Sequence, residues 1–97
     1  MIVRVFQVTV RDGKAADYEN FFRETAAPYV GSQPGLVSMT VATPLPETPN
    51  EFCMVMIWRD LAALKAFAGE GWREAHVHPS ETDIVLERRV THYELAS

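Results

Sequence analysis

The chain has 97 residues and a mass of 10.9 kDa, the size of one domain, with no room for a cofactor-binding module beside a catalytic one. Hydrophobic residues make up 47% and charged residues 23%, which excludes a disordered tail or a coiled coil. A net charge of −4 gives no basic field for nucleic acid, and no apolar stretch approaches the ~20 residues of a bilayer helix.

Met1 to Phe6 lacks the charged, apolar and small-residue order of a signal peptide. The lone cysteine, Cys53, can form neither an internal disulfide nor a thiolate metal cluster. A reduced, cytoplasmic setting is therefore expected. No linker, low-complexity tract or internal repeat divides residues 1–97, so the chain reads as one domain.

Residues 2–11 are rich in β-branched side chains and predict a strand. Asp12-Gly13 marks a turn, with Asp12 placed to cap the helix after it. From Lys14 to Val30, the positions Ala15, Tyr18, Phe21, Phe22, Thr25, Ala26 and Tyr29 form one apolar helical stripe. Pro28 falls late in that helix and either kinks or ends it. Ser32-Gln33-Pro34-Gly35 is a turn, and Leu36 to Ala42 is a second strand. Pro44, Pro46 and Pro49 stiffen a loop that cannot enter a sheet interior. Glu51 to Arg59 is a third strand. Asp60 caps a second helix carrying Leu61, Leu64, Phe67 and Ala68 on one side, which ends near Gly69-Glu70-Gly71. Trp72 to His78 reads as a further helical turn before Pro79, and Ile84 to Leu95 as the last strand.

The order β-α-β-β-α-β is the ferredoxin-like arrangement, an α+β fold with two helices on one face of a four-stranded antiparallel sheet. The other face of such a sheet is polar in a monomer. Here Phe52, Met54, Met56 and Trp58 alternate with Cys53, Val55 and Ile57, and Ile2, Phe6, Val8 and Val10 with Val3 and Val5. Both faces are apolar, so the uncovered one calls for a second copy of the chain, packed sheet against sheet.

Chemistry-bearing residues are few. There is no glycine-rich phosphate loop and no G-x-S-x-G nucleophile motif. His76 and His78 are spaced so that an extended chain would put both imidazoles on one side, as metal ligands or as plain loop histidines. The third histidine, His92, stands in the last strand. Trp72 and His76 are four residues apart and share a face on a helical turn. The pair offers a flat apolar wall beside a group that titrates near neutrality, or a loop anchor beside a hydrogen-bonded histidine. Gln7 is a polar residue on an otherwise apolar strand and needs a hydrogen-bonding partner, either protein or ligand. Phe6, Met39, Phe52, Met54, Met56 and Trp58 either line a cavity for a planar apolar ligand or, for most of them, pack the core and the dimer. Arg88 and Arg89 read as edge charges or as partners of glutamates across the dimer.

Three segments, residues 1–22, the run Ser32 to Val41 with its Q-P-G-L-V-S core, and residues 51–76 with W-R-D-L-x-A-L-x-A-F, occur in order and at fixed spacing. Together they make the chain resemble the antibiotic-biosynthesis-monooxygenase family of dimeric α+β barrels, from Met1 to Leu95. The resemblance implies a small monooxygenase acting on a hydroxylated aromatic or quinone-like molecule without metal or flavin. Dioxygen is a triplet and reacts slowly with closed-shell molecules, but a deprotonated phenol or enol donates an electron readily. Such chemistry needs a base, a dry pocket and an oxyanion donor. The resemblance gives His76 as the base, Gln7 as the amide donor and Trp72 as the stacking ring, with Phe67, Trp58 and Met56 against the substrate. One branch of the family degrades haem, and Glu74-Ala75-His76-Val77-His78 is similar to the segment that supplies its axial histidine. Haem ligated by His76 is the alternative this implies, although Gln7 and Phe67 stand where that branch carries asparagine and tryptophan. A non-catalytic dimeric ligand-binding module is the other.

Overall fold

The computed structural model describes residues 1–74 and 83–96. Four strands, β1 (Ile2–Val10), β2 (Leu36–Ala42), β3 (Glu51–Trp58) and β4 (Val85–Glu94), form one sheet in the order β2-β3-β1-β4. All three pairings are antiparallel. Strand ends fall within one residue of those expected. With the helices between β1 and β2 and between β3 and β4, this is the ferredoxin-like α+β topology.

The first helix has the length its apolar stripe implies but is less regular. It runs as α1 (Ala15–Phe21), a π-helical segment (Phe22–Ala26) and α2 (Ala27–Gly31). Pro28 therefore lies inside the helix and does not end it. Proline lacks the N–H of a regular turn, and the wider π turn lies immediately upstream, with Ala27 N–H bonded to the Phe22 carbonyl. That turn delays the helical phase by one residue. Tyr18, Phe22 and Val30 are buried, while Phe21 and Tyr29, both in the expected stripe, are exposed. Asp12 does not cap this helix. Its Oδ1 accepts from Asn50 Nδ2 at 2.7 Å, tying the β1 turn to the loop before β3.

The second helix, α3 (Leu61–Ala68), starts as expected, with Asp60 Oδ1 accepting from the Ala63 N–H at 2.8 Å. Gly69 at φ +80° ends it. Gly35 also has a positive φ, +85°, and packs on Ala63, so β2 begins hard against α3. Its carbonyl accepts from Arg59 N–H at 2.8 Å.

Between the helices and the sheet lies a core of Val8, Val10, Tyr18, Phe22, Phe52, Met54, Met56, Trp58 and Leu64. Tyr18, Phe22 and Phe52 form an aromatic cluster with centroids 5.0–5.7 Å apart. On the opposite face, register pairs Val3 with Ile57, Val5 with Val55 and Gln7 with Cys53. These side chains are half-buried.

Candidate functional site

The pleat that sends Val8 and Val10 toward the helices also sends Arg4 there. Its neighbours in register are Met56 on β3 and His92 on β4. Arg4 is 6% exposed, an unusual place for a guanidinium. Its Nη1 donates to the Trp72 carbonyl at 2.7 Å and to His92 Nε2 at 2.9 Å. Arginine keeps its protons, so His92 must accept through Nε2 and carry its own proton on Nδ1. Burial, and then the charges of Arg4 and Arg73, hold the His92 imidazole below its ordinary value. Burial also lowers Arg4.

Trp72 completes this cluster from the turns after α3. Its N–H donates to the Gly69 carbonyl at 3.2 Å, and Glu74 N–H donates to the Gly71 carbonyl at 3.0 Å. The described part of the expected helical run, up to Glu74, is thus turn and not helix. The Trp72 ring meets His92 edge-on at 5.0 Å, and the Arg73 guanidinium lies 4.5 Å from its centroid.

The expected site residues divide into three groups. Trp58 and Phe67 stack at 4.9 Å, with Trp58 fully buried, and Met56 lies beside them on β3. Trp72 packs against the same core while contacting Arg4 and His92. Gln7 is not brought to them. An odd-numbered position on β1 points to the face away from the helices, and there Gln7 Oε1 accepts from Arg89 Nε at 3.2 Å. Phe6 is its neighbour on the helix side, 6.0 Å from the Arg88 guanidinium. The polar depression lined by Gln7, Glu51 and Arg89 holds only about 60 Å³, well below the roughly 150 Å³ cavity that takes up benzene. Within one chain, Gln7 and Trp72 thus stand on opposite faces of the sheet. His76 and His78 lie outside the described residues.

Arg4 and His92 were not singled out as site residues from the sequence. The available signal was a charge at an even position of β1, in phase with Ile2, Phe6, Val8 and Val10. Among the described residues, no group of three or more His, Cys, Asp or Glu side chains is placed to hold a metal ion, and no helix is long and apolar enough to cross a membrane.

The sequence profile of the antibiotic biosynthesis monooxygenase family matches residues 1–79. No curated protein matches the sequence. Solved structures share the fold. A Deinococcus radiodurans protein, named as a candidate antibiotic biosynthesis monooxygenase, superposes with a TM-score of 0.79 at 16% identity, covering 100% of this chain and 94% of its own. A variant of MhuD with two manganese protoporphyrin IX molecules per active site gives 0.72 at 17% identity, covering 100% and 96%. A variant of SnoaB, a cofactor-independent oxygenase from Streptomyces nogalater, gives 0.69 at 24% identity, covering 99% and 93%.

Proposed function

The chain belongs to the antibiotic biosynthesis monooxygenase family, and from that premise we propose that it is a small oxygenase acting on a hydroxylated aromatic or quinone-like molecule, with neither metal nor flavin. The observation that carries this reading is the helix-side face. There the half-buried Phe67 ring, backed by Trp58, and the half-buried Trp72 ring offer flat apolar contacts beside a buried hydrogen-bond donor. SnoaB, which shares the fold, is a cofactor-independent oxygenase, and this supports chemistry driven by the substrate's own electrons.

In this reading His76, which lies outside the described residues, acts as base. It takes the proton of a phenol or enol, and the resulting anion transfers an electron to dioxygen. One oxygen atom enters the ring carbon and the other leaves as water when a ring CH₂ becomes a carbonyl. Trp72 stacks on the ring. Gln7 sits on the other side of the sheet in the same chain, bonded to Arg89.

The same reading includes a homodimer. Val3, Val5, Cys53, Val55 and Ile57 make an apolar strip on the face without helices, and a second copy of the chain supplies its cover.

Haem is a second reading, favoured by the Glu74-Ala75-His76-Val77-His78 segment and by the porphyrin in MhuD. The described residues do not supply its ligand, because the one described histidine, His92, gives its Nε2 lone pair to Arg4. Haem ligation would rest on His76.

Oxygen uptake with anthrone and a panel of naphthols and hydroquinones tests the proposal. Turnover by the wild-type protein is expected to fall by about 10²–10⁴ in His76→Ala. No uptake across the panel, or full turnover in the variant, overturns it. A parallel haem titration discriminates the second reading, since a stoichiometric Soret band lost in His76→Ala would establish that ligation.

A further inference from the structure

Arg4 presents a guanidinium whose hydrogen bonding is half complete. Of its five N–H donors, the two on Nη1 are committed to the Trp72 carbonyl and to His92 Nε2. The other three, on Nη2 and Nε, have no hydrogen-bond partner among the described residues. No carboxylate lies within ion-pair distance of Arg4 among those residues. A buried cation satisfied only by neutral acceptors is costly. The Nε/Nη2 edge is also the side of the fork that binds a carboxylate through two parallel hydrogen bonds.

The surroundings have the same sign. Arg73 lies over Trp72, and Arg88 lies beside Phe6. The nearby acid in register with Ile2, Glu94, is paired with the N-terminal amine at 3.5 Å. Arg4 and Arg73 thus place two cations around the Trp72 ring on the helix side of the sheet. On that same face, Trp58 buries its Nε1–H with no acceptor among the described residues. Aromatic rings adjoin the Arg4 guanidinium and this indole donor.

We propose that Arg4 is the recognition residue for a carboxylate on an aromatic ligand, with the guanidinium gripping the carboxylate through Nε and Nη2 while Trp72 contacts the ring. This rests on the aromatic-substrate reading above and narrows it to acids. His92 and the Trp72 carbonyl are positioning groups. They hold Nη1 and so fix the plane of the fork.

Isothermal titration with 6-hydroxy-2-naphthoate and its methyl ester tests the assignment, since the two share ring and hydroxyl and differ in the charge. The acid is expected to bind the wild-type protein about tenfold or more tighter than the ester. In Arg4→Met the two should bind within about twofold of each other, and in Arg4→Lys, which keeps a point charge without the fork, the preference should be intermediate. Equal binding of acid and ester by the wild-type protein overturns the proposal. So does an undiminished preference in an Arg4→Met protein that melts cooperatively, or binding of neither compound at millimolar concentration. If Arg4→Met does not fold, the wild-type ratio and Arg4→Lys still decide the matter. Oxygen uptake is read separately: an acid preference without turnover would sink the oxygenase reading and leave carboxylate recognition standing.

Discussion

Tyr29 and Val30, adjacent in sequence, exchange the environments that a regular helix would give them. Tyr29 is 60% exposed and Val30 is 7% exposed. The π turn over Phe22–Ala26 adds one residue to the helix between Tyr18 and Val30 and rotates the turns downstream of it. Val30→Ser should therefore cost roughly 2 kcal/mol in denaturant unfolding, the loss of a buried aliphatic side chain, while Tyr29→Ser should cost under about 1 kcal/mol. The reverse ranking would mean an unbroken α-helix through this segment.

Gly35 and Gly13 share a positive φ and differ in surroundings. A Cβ at Gly35 would run into Ala63, whereas one at Gly13 meets nothing within 4 Å. Gly13→Ala should cost only the left-handed backbone penalty, roughly 1–2 kcal/mol. Gly35→Ala should add an overpacking cost of roughly 1–3 kcal/mol. Equal shifts in thermal melting would remove Ala63 as the reason for glycine at position 35.

His92 links stability to pH. Its imidazole is held below the ordinary 6.5 by burial and by Arg4 and Arg73, so the unfolded chain takes up this proton first as pH falls. The stabilisation is present above about pH 6.5 and is lost as pH drops through the folded-state value. His92→Gln keeps an acceptor for Arg4 without titrating. Between about pH 7.5 and 5, the wild-type melting temperature should fall more steeply than that of His92→Gln. The two proteins differ only at position 92, so every other contribution cancels from the comparison. Parallel curves would mean that the Arg4 contact does not depend on a neutral imidazole.

Val55 lies opposite Val5 on the face away from the helices, so charging it leaves the helix-side core intact. The wild-type protein should sediment as a dimer, and Val55→Lys as a folded monomer with similar far-ultraviolet dichroism. A wild-type monomer at tens of micromolar would refute the covered-face reading.

The fold is legible in the sequence because its signals are local and repeated. Two-residue alternation sets β1 and β3, and Asp60 marks the start of α3 within its own turn. The π segment is not legible, since no residue type encodes an i→i+5 turn and a stripe containing both Phe21 and Phe22 fits either phase. Asp12 looks like a cap from its neighbours, but its partner Asn50 is 38 positions away. The candidate site is legible in part. Trp72, Trp58, Phe67 and Met56 do lie on the helix-side face, while Gln7 falls on the other side because strand parity, not polarity, decides which face a residue joins. Arg4 escapes notice for the complementary reason: a charge among apolar neighbours suggests a surface position, and only its parity on β1 reveals that it is buried.

The Arg4–His92 contact also constrains when the protein can become competent. Its two residues are 88 positions apart, and Arg4 reaches Trp72 across 68. During synthesis β1 leaves the ribosome long before β4 does, so the guanidinium waits through most of translation without the histidine that will orient it. A chain that has assembled the Tyr18–Phe22–Phe52 cluster without β4 still lacks the Arg4–His92 contact. Closing β4 onto β1 is a long-range step of the kind that slows folding, and it completes the outer sheet pairing and this cluster together. If Arg4 binds the proposed carboxylate, ligand affinity reports that the last strand has docked.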